Sequence, residues 1–135
     1  MEIPGTPHTY KSKDGLDLFY RDYGSDLEGT PVICLPGLTR NSRDFIEVAA
    51  YIGERRRVIT PDLRGRANSA YDPEWRNYHP GTYVTDIWTL LDGLDIERVI
   101  VIGTSLGGLC AICLLYTSPS PRDATSHRVC RLLLE

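Results

Sequence analysis

The sequence has no basic excess. Its 135 residues carry 15 Lys and Arg against 18 Asp and Glu, a formal charge of -3. A nucleic-acid-binding surface needs clustered positive charge, so no nucleic-acid partner is expected. The single basic run, Arg55-Arg56-Arg57, reads as a solvated helix end, where cations suit the macrodipole. Long apolar runs are missing too: none reaches the length of a bilayer span. Met1 to Asp14 is polar and lacks the apolar core of a signal peptide. A cytoplasmic protein without a membrane partner is therefore expected. Cysteine is scarce, at four residues, and none has metal-ligand spacing. Cys110 and Cys113 match a redox CxxC only superficially, since they follow a Gly-Gly helix entry. No metal site and no cofactor are expected. Histidine is scarcer still, at three residues: His8, His79 and His127.

What is present fits one small soluble domain. Hydrophobic residues make up 41% and charged residues 24%, ordinary values for a globular chain. His8 to Ser12 and Leu16 to Asp22 are strand-like runs split by Asp14-Gly15, a hairpin signal in which Gly supplies positive φ. Three short apolar runs follow: Pro31 to Leu35, Arg57 to Thr60, and Arg98 to Ile102. Continuous apolar runs of this length suit parallel strands buried on both faces. Between them, Ser42 to Ile52 and Thr82 to Leu94 have helical spacing, with Ser42 and Thr82 as expected caps. Alternation of strand and helix predicts an α/β fold with a mostly parallel sheet and an N-terminal β-hairpin. The loop from Arg64 to Gly81 is long and rich in Tyr, Pro and Asn, which marks it as functional or mobile.

The sharpest motif is Gly103-Thr104-Ser105-Leu106-Gly107, followed by Gly108. It stands directly after an apolar run and before a helical stretch, the context of a nucleophile elbow. Ser105 is the candidate nucleophile. A dinucleotide-binding turn is the competing reading, but that fingerprint needs glycine where Ser105 stands. An acyl-transfer site also needs two donors aimed at the developing oxyanion. The candidates are the backbone N–H of Leu106, after the nucleophile, and that of Leu38, in the loop Leu35-Pro36-Gly37-Leu38-Thr39.

With these motifs, residues 7–112 resemble the N-terminal half of the α/β-hydrolase superfamily. Within it they are similar to the esterase, enol-lactonase and carbon–carbon hydrolase group. Pro61-Asp62-Leu63-Arg64-Gly65-Arg66, Asp86 and Leu90-Leu91-Asp92 are further matching landmarks. Two positions depart from the common pattern. Pro36 stands where many members have His, which affects how the oxyanion loop is held. Ala67 stands where many have Gly, which implies a less sharp bend after Asp62. Ser105 disfavours the members with an Asp nucleophile, such as epoxide hydrolases. The resemblance implies that the catalytic acid and His follow the nucleophile in sequence. Asp62, Asp86 and Asp92 precede it and read as a loop ligand and helix-surface charges. His8 and His79 also precede it and read as surface residues.

The pattern breaks after residue 112. Thr117-Ser118-Pro119-Ser120-Pro121 cannot continue a helix. Cys113 to Asp123 reads CLLYTSPSPRD, which resembles one translated frame of a transposase-type sequencing adapter. Val129 to Glu135 reads VCRLLLE, which resembles the flow-cell sequence beyond the sample index. The domain organisation read here is therefore residues 1–112 as the N-terminal part of an α/β-hydrolase domain and 113–135 as a non-native tail. On that reading His127 is no catalytic base. The parent protein is expected to be a serine hydrolase acting through an acyl-enzyme on a small ester, lactone or carbon–carbon-linked ketone. A chain of these residues alone is expected to be inactive and poorly folded, with the strand ending at Gly103 left as a bare edge. The alternative is a non-catalytic relative that binds a small ligand.

Overall fold

The computed structural model describes residues 4–37, 40–116 and 129–134, with backbone alone at 115, 116 and 129–134. Strands β1 (Thr6–Lys11) and β2 (Asp17–Tyr23) form the hairpin. Its turn is wider than a two-residue Asp-Gly loop. Ser12 N–H donates to Leu16 O at 2.9 Å, and Gly15 supplies the positive φ, at 92°. Then come β3 (Val32–Leu35), a 3-10 turn (Ser42–Phe45), α1 (Ile46–Ile52) and β4 (Val58–Pro61). They are followed by α2 (Pro80–Gly93), β5 (Arg98–Gly103), α3 (Leu106–Tyr116) and β6 (Val129–Leu134). The sheet order is β1-β2-β4-β3-β5-β6, antiparallel through β4 and parallel from β4 to β6.

Alternation along β3 explains why its run is wholly apolar. Ile33 and Leu35 join the core beneath α2 and α3, with Ile59, Ile87, Trp88, Leu91 and Cys110. Val32 and Cys34 join the opposite core beneath α1, with Phe45, Ala49 and Val58. Both faces of the strand are covered, so no polar residue is tolerated on either. Burial pushes the Cys34 thiol up to about 12 and the Cys110 thiol to about 11, which keeps both inert as nucleophiles.

Both expected helix caps are displaced. Asn41, not Ser42, caps the first segment, its Oδ1 accepting from Arg43 N–H at 2.9 Å, and the first turn is 3-10. The Ser42 N–H is drawn instead to Asp62 Oδ1 at 2.8 Å. In α2 the cap is His79, whose Nδ1 accepts from Gly81 N–H at 3.1 Å, so Pro80 occupies the first turn. Val48, within α1, is exposed. The Arg55–Arg57 run is not simply solvated either. Arg57 makes a two-pronged pair with the buried Asp22, at 3.0 and 2.7 Å, and Arg56 donates to Thr30 O at 2.8 Å.

The last strand adds a feature absent from the sequence reading. Val129–Leu134 runs parallel to β5 with Arg98 opposite Val129 and Gly103 opposite Leu134. The edge of β5, expected to stand bare, is paired along its length.

Candidate active site

The elbow follows from where glycine is compulsory. Ser105 has φ 53°, a left-handed backbone that a residue with a side chain adopts only at a cost. The chain reverses there because both neighbours come closer than any Cβ would allow. A Cβ on Gly103 would stand 2.5 Å from Gly107 O, and one on Gly107 only 2.0 Å from Leu35 O. The first contact lets α3 turn back on β5. The second lets its first turn sit on the end of β3. The reversal is closed by Gly107 N–H to Thr104 O at 2.9 Å and by Leu109 N–H to Ser105 O at 3.1 Å.

This turn leaves Ser105 exposed at the carboxyl end of the sheet, at the amino end of α3. Leu106 is the first residue of α3, so its N–H has no acceptor within the helix and is available to an anion. Leu38 lies outside the described residues. The loop that carries it leaves β3 at Gly37, and a Cβ on Gly37 would stand 3.7 Å from Ser105 Cβ. The Gly37 carbonyl accepts from Arg40 N–H at 3.2 Å. His127 is also outside the described residues. His8 is exposed and stacks on Tyr20 at 5.2 Å, and His79 is occupied as a cap. Among the described residues, no group of three His, Cys, Asp or Glu is placed to hold a metal ion.

Of the three acids before Ser105, Asp62 is a loop ligand. Its Oδ1 takes Ser42 N–H, and its Oδ2 takes Asn68 N–H at 3.3 Å. Asp86 is a correction: it is no surface charge but is 3% exposed, and it partners Arg64. Arg64, itself 2% exposed, is the residue that sequence reasoning missed. Its guanidinium reaches Asp86 at 3.1 and 2.8 Å, Asp72 at 2.7 Å and Asp14 at 2.7 and 2.9 Å. It thereby ties the hairpin turn, the loop after β4 and α2 to one point. Burial opposes its charge, but the three carboxylates outweigh that and raise its pKa. Hydrogen bonds from Arg64 and Ser12 hold Asp14 down at about 2. Burial raises Asp86, against the pull of Arg64. No spacing rule pairs residues 8, 22 and 50 positions apart, so the sequence carries no signal for this hub.

The loop after β4 is accordingly well bonded. Ser69 Oγ donates to Asp62 O at 2.6 Å and accepts from Phe19 N–H at 2.8 Å, and Asn77 Nδ2 donates to Asp72 at 2.8 Å. The bend at residue 67 is not relaxed by alanine. Ala67 holds φ 45°, the left-handed backbone that glycine would take without strain.

Comparison with known proteins places this geometry in a family. The profile of the alpha/beta hydrolase fold family matches residues 30–124. The chain belongs to the α/β-hydrolase family. It is 36% identical over 102 residues to a 3-hydroxybutyrate-oligomer hydrolase of Cupriavidus necator, covering 76% of this chain and 35% of that protein. Among solved structures, an alpha/beta hydrolase from Novosphingobium aromaticivorans is 38% identical with a TM-score of 0.84, over 99% of this chain and 45% of that one. The esterase EaEST from Exiguobacterium antarcticum is 26% identical with a TM-score of 0.80, over 97% and 44%. The chain thus spans about a third of the length of the curated relatives it matches. Among the described residues, no helix is long and apolar enough to cross a membrane.

Proposed function

We propose that the protein is a cytoplasmic serine hydrolase that opens a small ester, lactone or carbon–carbon-linked ketone through an acyl-enzyme at Ser105. The observation that carries this reading is the left-handed backbone of an exposed Ser105 between two glycines that admit no side chain. Strain of this kind persists where the surrounding structure enforces it, and it clusters at functional sites. The likeness to a hydrolase of hydroxybutyrate oligomers supports it, because hydroxy-acid oligomers are joined by ester bonds. So does the likeness to an esterase.

On this reading Ser105 Oγ attacks the carbonyl carbon and gives its proton to a histidine base. The oxyanion that forms is held by the N–H of Leu106 and that of Leu38. Collapse of the intermediate expels the leaving group with the proton from the base, and water then releases the acid and restores Ser105. The base and its acid partner belong to the part of the protein beyond residues 1–112, as the family order implies. The mechanism needs no metal or organic cofactor, and its partner is a small-molecule substrate.

A fluorophosphonate probe applied to the complete gene product tests the assignment. Ser105 is the expected adduct site, and Ser105→Ala is expected to abolish labelling and to reduce turnover by several orders of magnitude. Labelling that persists in the alanine variant would falsify the nucleophile assignment.

A further inference from the structure

The stem of Arg40 lies beside the same glycine as Ser105. A Cβ on Gly37 would meet Arg40 Cγ at 3.6 Å and Ser105 Cβ at 3.7 Å, so the arginine stem and the serine flank the same glycine. Gly37 itself puts no side chain between them. The Arg40 N–H to Gly37 O bond, at 3.2 Å, fixes the backbone from which the stem departs.

The guanidinium is held in one orientation. Nε and one terminal nitrogen donate to the two oxygens of Asp44 at 2.7 and 2.8 Å, a fork closed between residues four apart. Asp44 engages only that edge of the planar group. Among the described residues the second terminal nitrogen has no hydrogen-bond partner, and the side chain remains 65% exposed. An arginine oriented on one edge by a carboxylate and open on the other is suited to a second carboxylate. Lysine, a point charge on a flexible stem, would not keep that orientation.

We propose that Arg40 is a specificity-determining residue that selects substrates bearing a carboxylate a few atoms from the scissile carbonyl, with Asp44 positioning it. The proposal rests on Ser105 being the nucleophile. The substrate class is then the half-esters and acyl chains that end in a carboxylate, in preference to neutral esters of the same length. The contact is solvent-exposed, so it is worth about fivefold in kcat/KM and weakens as salt screens it.

The test compares p-nitrophenyl hemisuccinate with p-nitrophenyl butyrate, which differ by a carboxylate in place of a methyl group, on the complete protein. Arg40→Gln is expected to lower kcat/KM for the hemisuccinate about fivefold and to leave the butyrate within about twofold. Arg40→Lys is expected to recover only part of the loss. Fluorophosphonate labelling of Ser105 should be unchanged in both. In the unaltered protein, added salt should lower the hemisuccinate-to-butyrate ratio, a reading that does not depend on any variant folding. Equal losses on both esters, no loss on either, or a salt-independent ratio would overturn the role of Arg40 and leave Ser105 standing. Absence of labelling at Ser105 in the unaltered protein would remove the reading of the site and this proposal with it.

Discussion

Replacing Arg64 with methionine tests what holds the loop after β4 to the rest of the fold. Methionine fills much of the stem's volume and removes five hydrogen bonds. The three carboxylates do not lose equally. Asp14 has a side chain 48% exposed, and water replaces what it loses. Asp72 keeps Asn77 Nδ2 at 2.8 Å and Glu74 N–H at 2.9 Å. Asp86 is buried and gives up both of its bonds to Arg64. Removing one partner of a buried ion pair costs about 3–5 kcal/mol. The lower end, about 3 kcal/mol, is expected here, because Asp86 can escape its unpaired charge by taking up a proton.

That escape sets the sign of the pH dependence. Burial already raises Asp86, and without Arg64 it rises further. The variant's folded state then holds a proton that its unfolded state releases. Its stability falls as pH rises through that raised value. In the unaltered protein, Asp14 is held at about 2 and Asp72 lies below its ordinary value, through Asn77 and the Glu74 amide first and Arg64 after. Their contribution is present above the ordinary carboxylate pKa of about 4 and is lost as pH falls toward 2. Both effects widen the gap between the two proteins as pH rises. Urea unfolding of the complete protein at about pH 5 and about pH 7.5 measures it. A gap near 3 kcal/mol at the higher pH that shrinks at the lower one is expected. A gap below about 1 kcal/mol at both, or one that grows as pH falls, would refute the reasoning.

Gly107→Ala should abolish Ser105 labelling and cost about 2 kcal/mol or more, since its Cβ would fall 2.0 Å from the backbone oxygen of Leu35 and must separate α3 from β3; unchanged labelling would show that the elbow tolerates the shift. Ala67→Gly should stabilise the protein by roughly 0.5–1 kcal/mol in the same urea assay, because relief of the left-handed strain exceeds the added unfolded-state entropy. Ser69→Ala should destabilise by about 1–3 kcal/mol, since it leaves the buried Phe19 N–H without the acceptor it has at 2.8 Å. We further propose that residues 113–135 are foreign to the parent protein; re-sequencing the locus past Ile112 should replace CLLYTSPSPRD with other coding sequence, and recovery of the same residues from genomic DNA would end that proposal.

The sequence by itself determined the elements from the hairpin to β5 and the tight turn at Ser105, because both depend on local chemistry. An apolar run of four residues bounded by Pro-Gly or Pro-Asp has few conformations open to it except a buried strand, and β3 and β4 are such strands. Glycine on both sides of Ser105 is legible as a tight reversal, since no other residue fits where backbone meets backbone within a Cβ's reach. Caps were read less well. Ser42 and Thr82 are chemically good caps, but Asp62 claims the Ser42 amide across 20 residues, and His79 precedes a proline that favours the first turn.

What only the tertiary structure decided are the contacts between residues distant in the chain. Arg64 and Asp86 look like surface charges because charge is solvated unless paired, and no local pattern reveals a partner 22 residues away. The same holds for Arg57 with Asp22 and for the closeness of Gly37 to Ser105. Periodicity records which face of an element is apolar. It does not record which other element covers that face, because burial free energy is non-directional and only the packed sheet order fixes the neighbours.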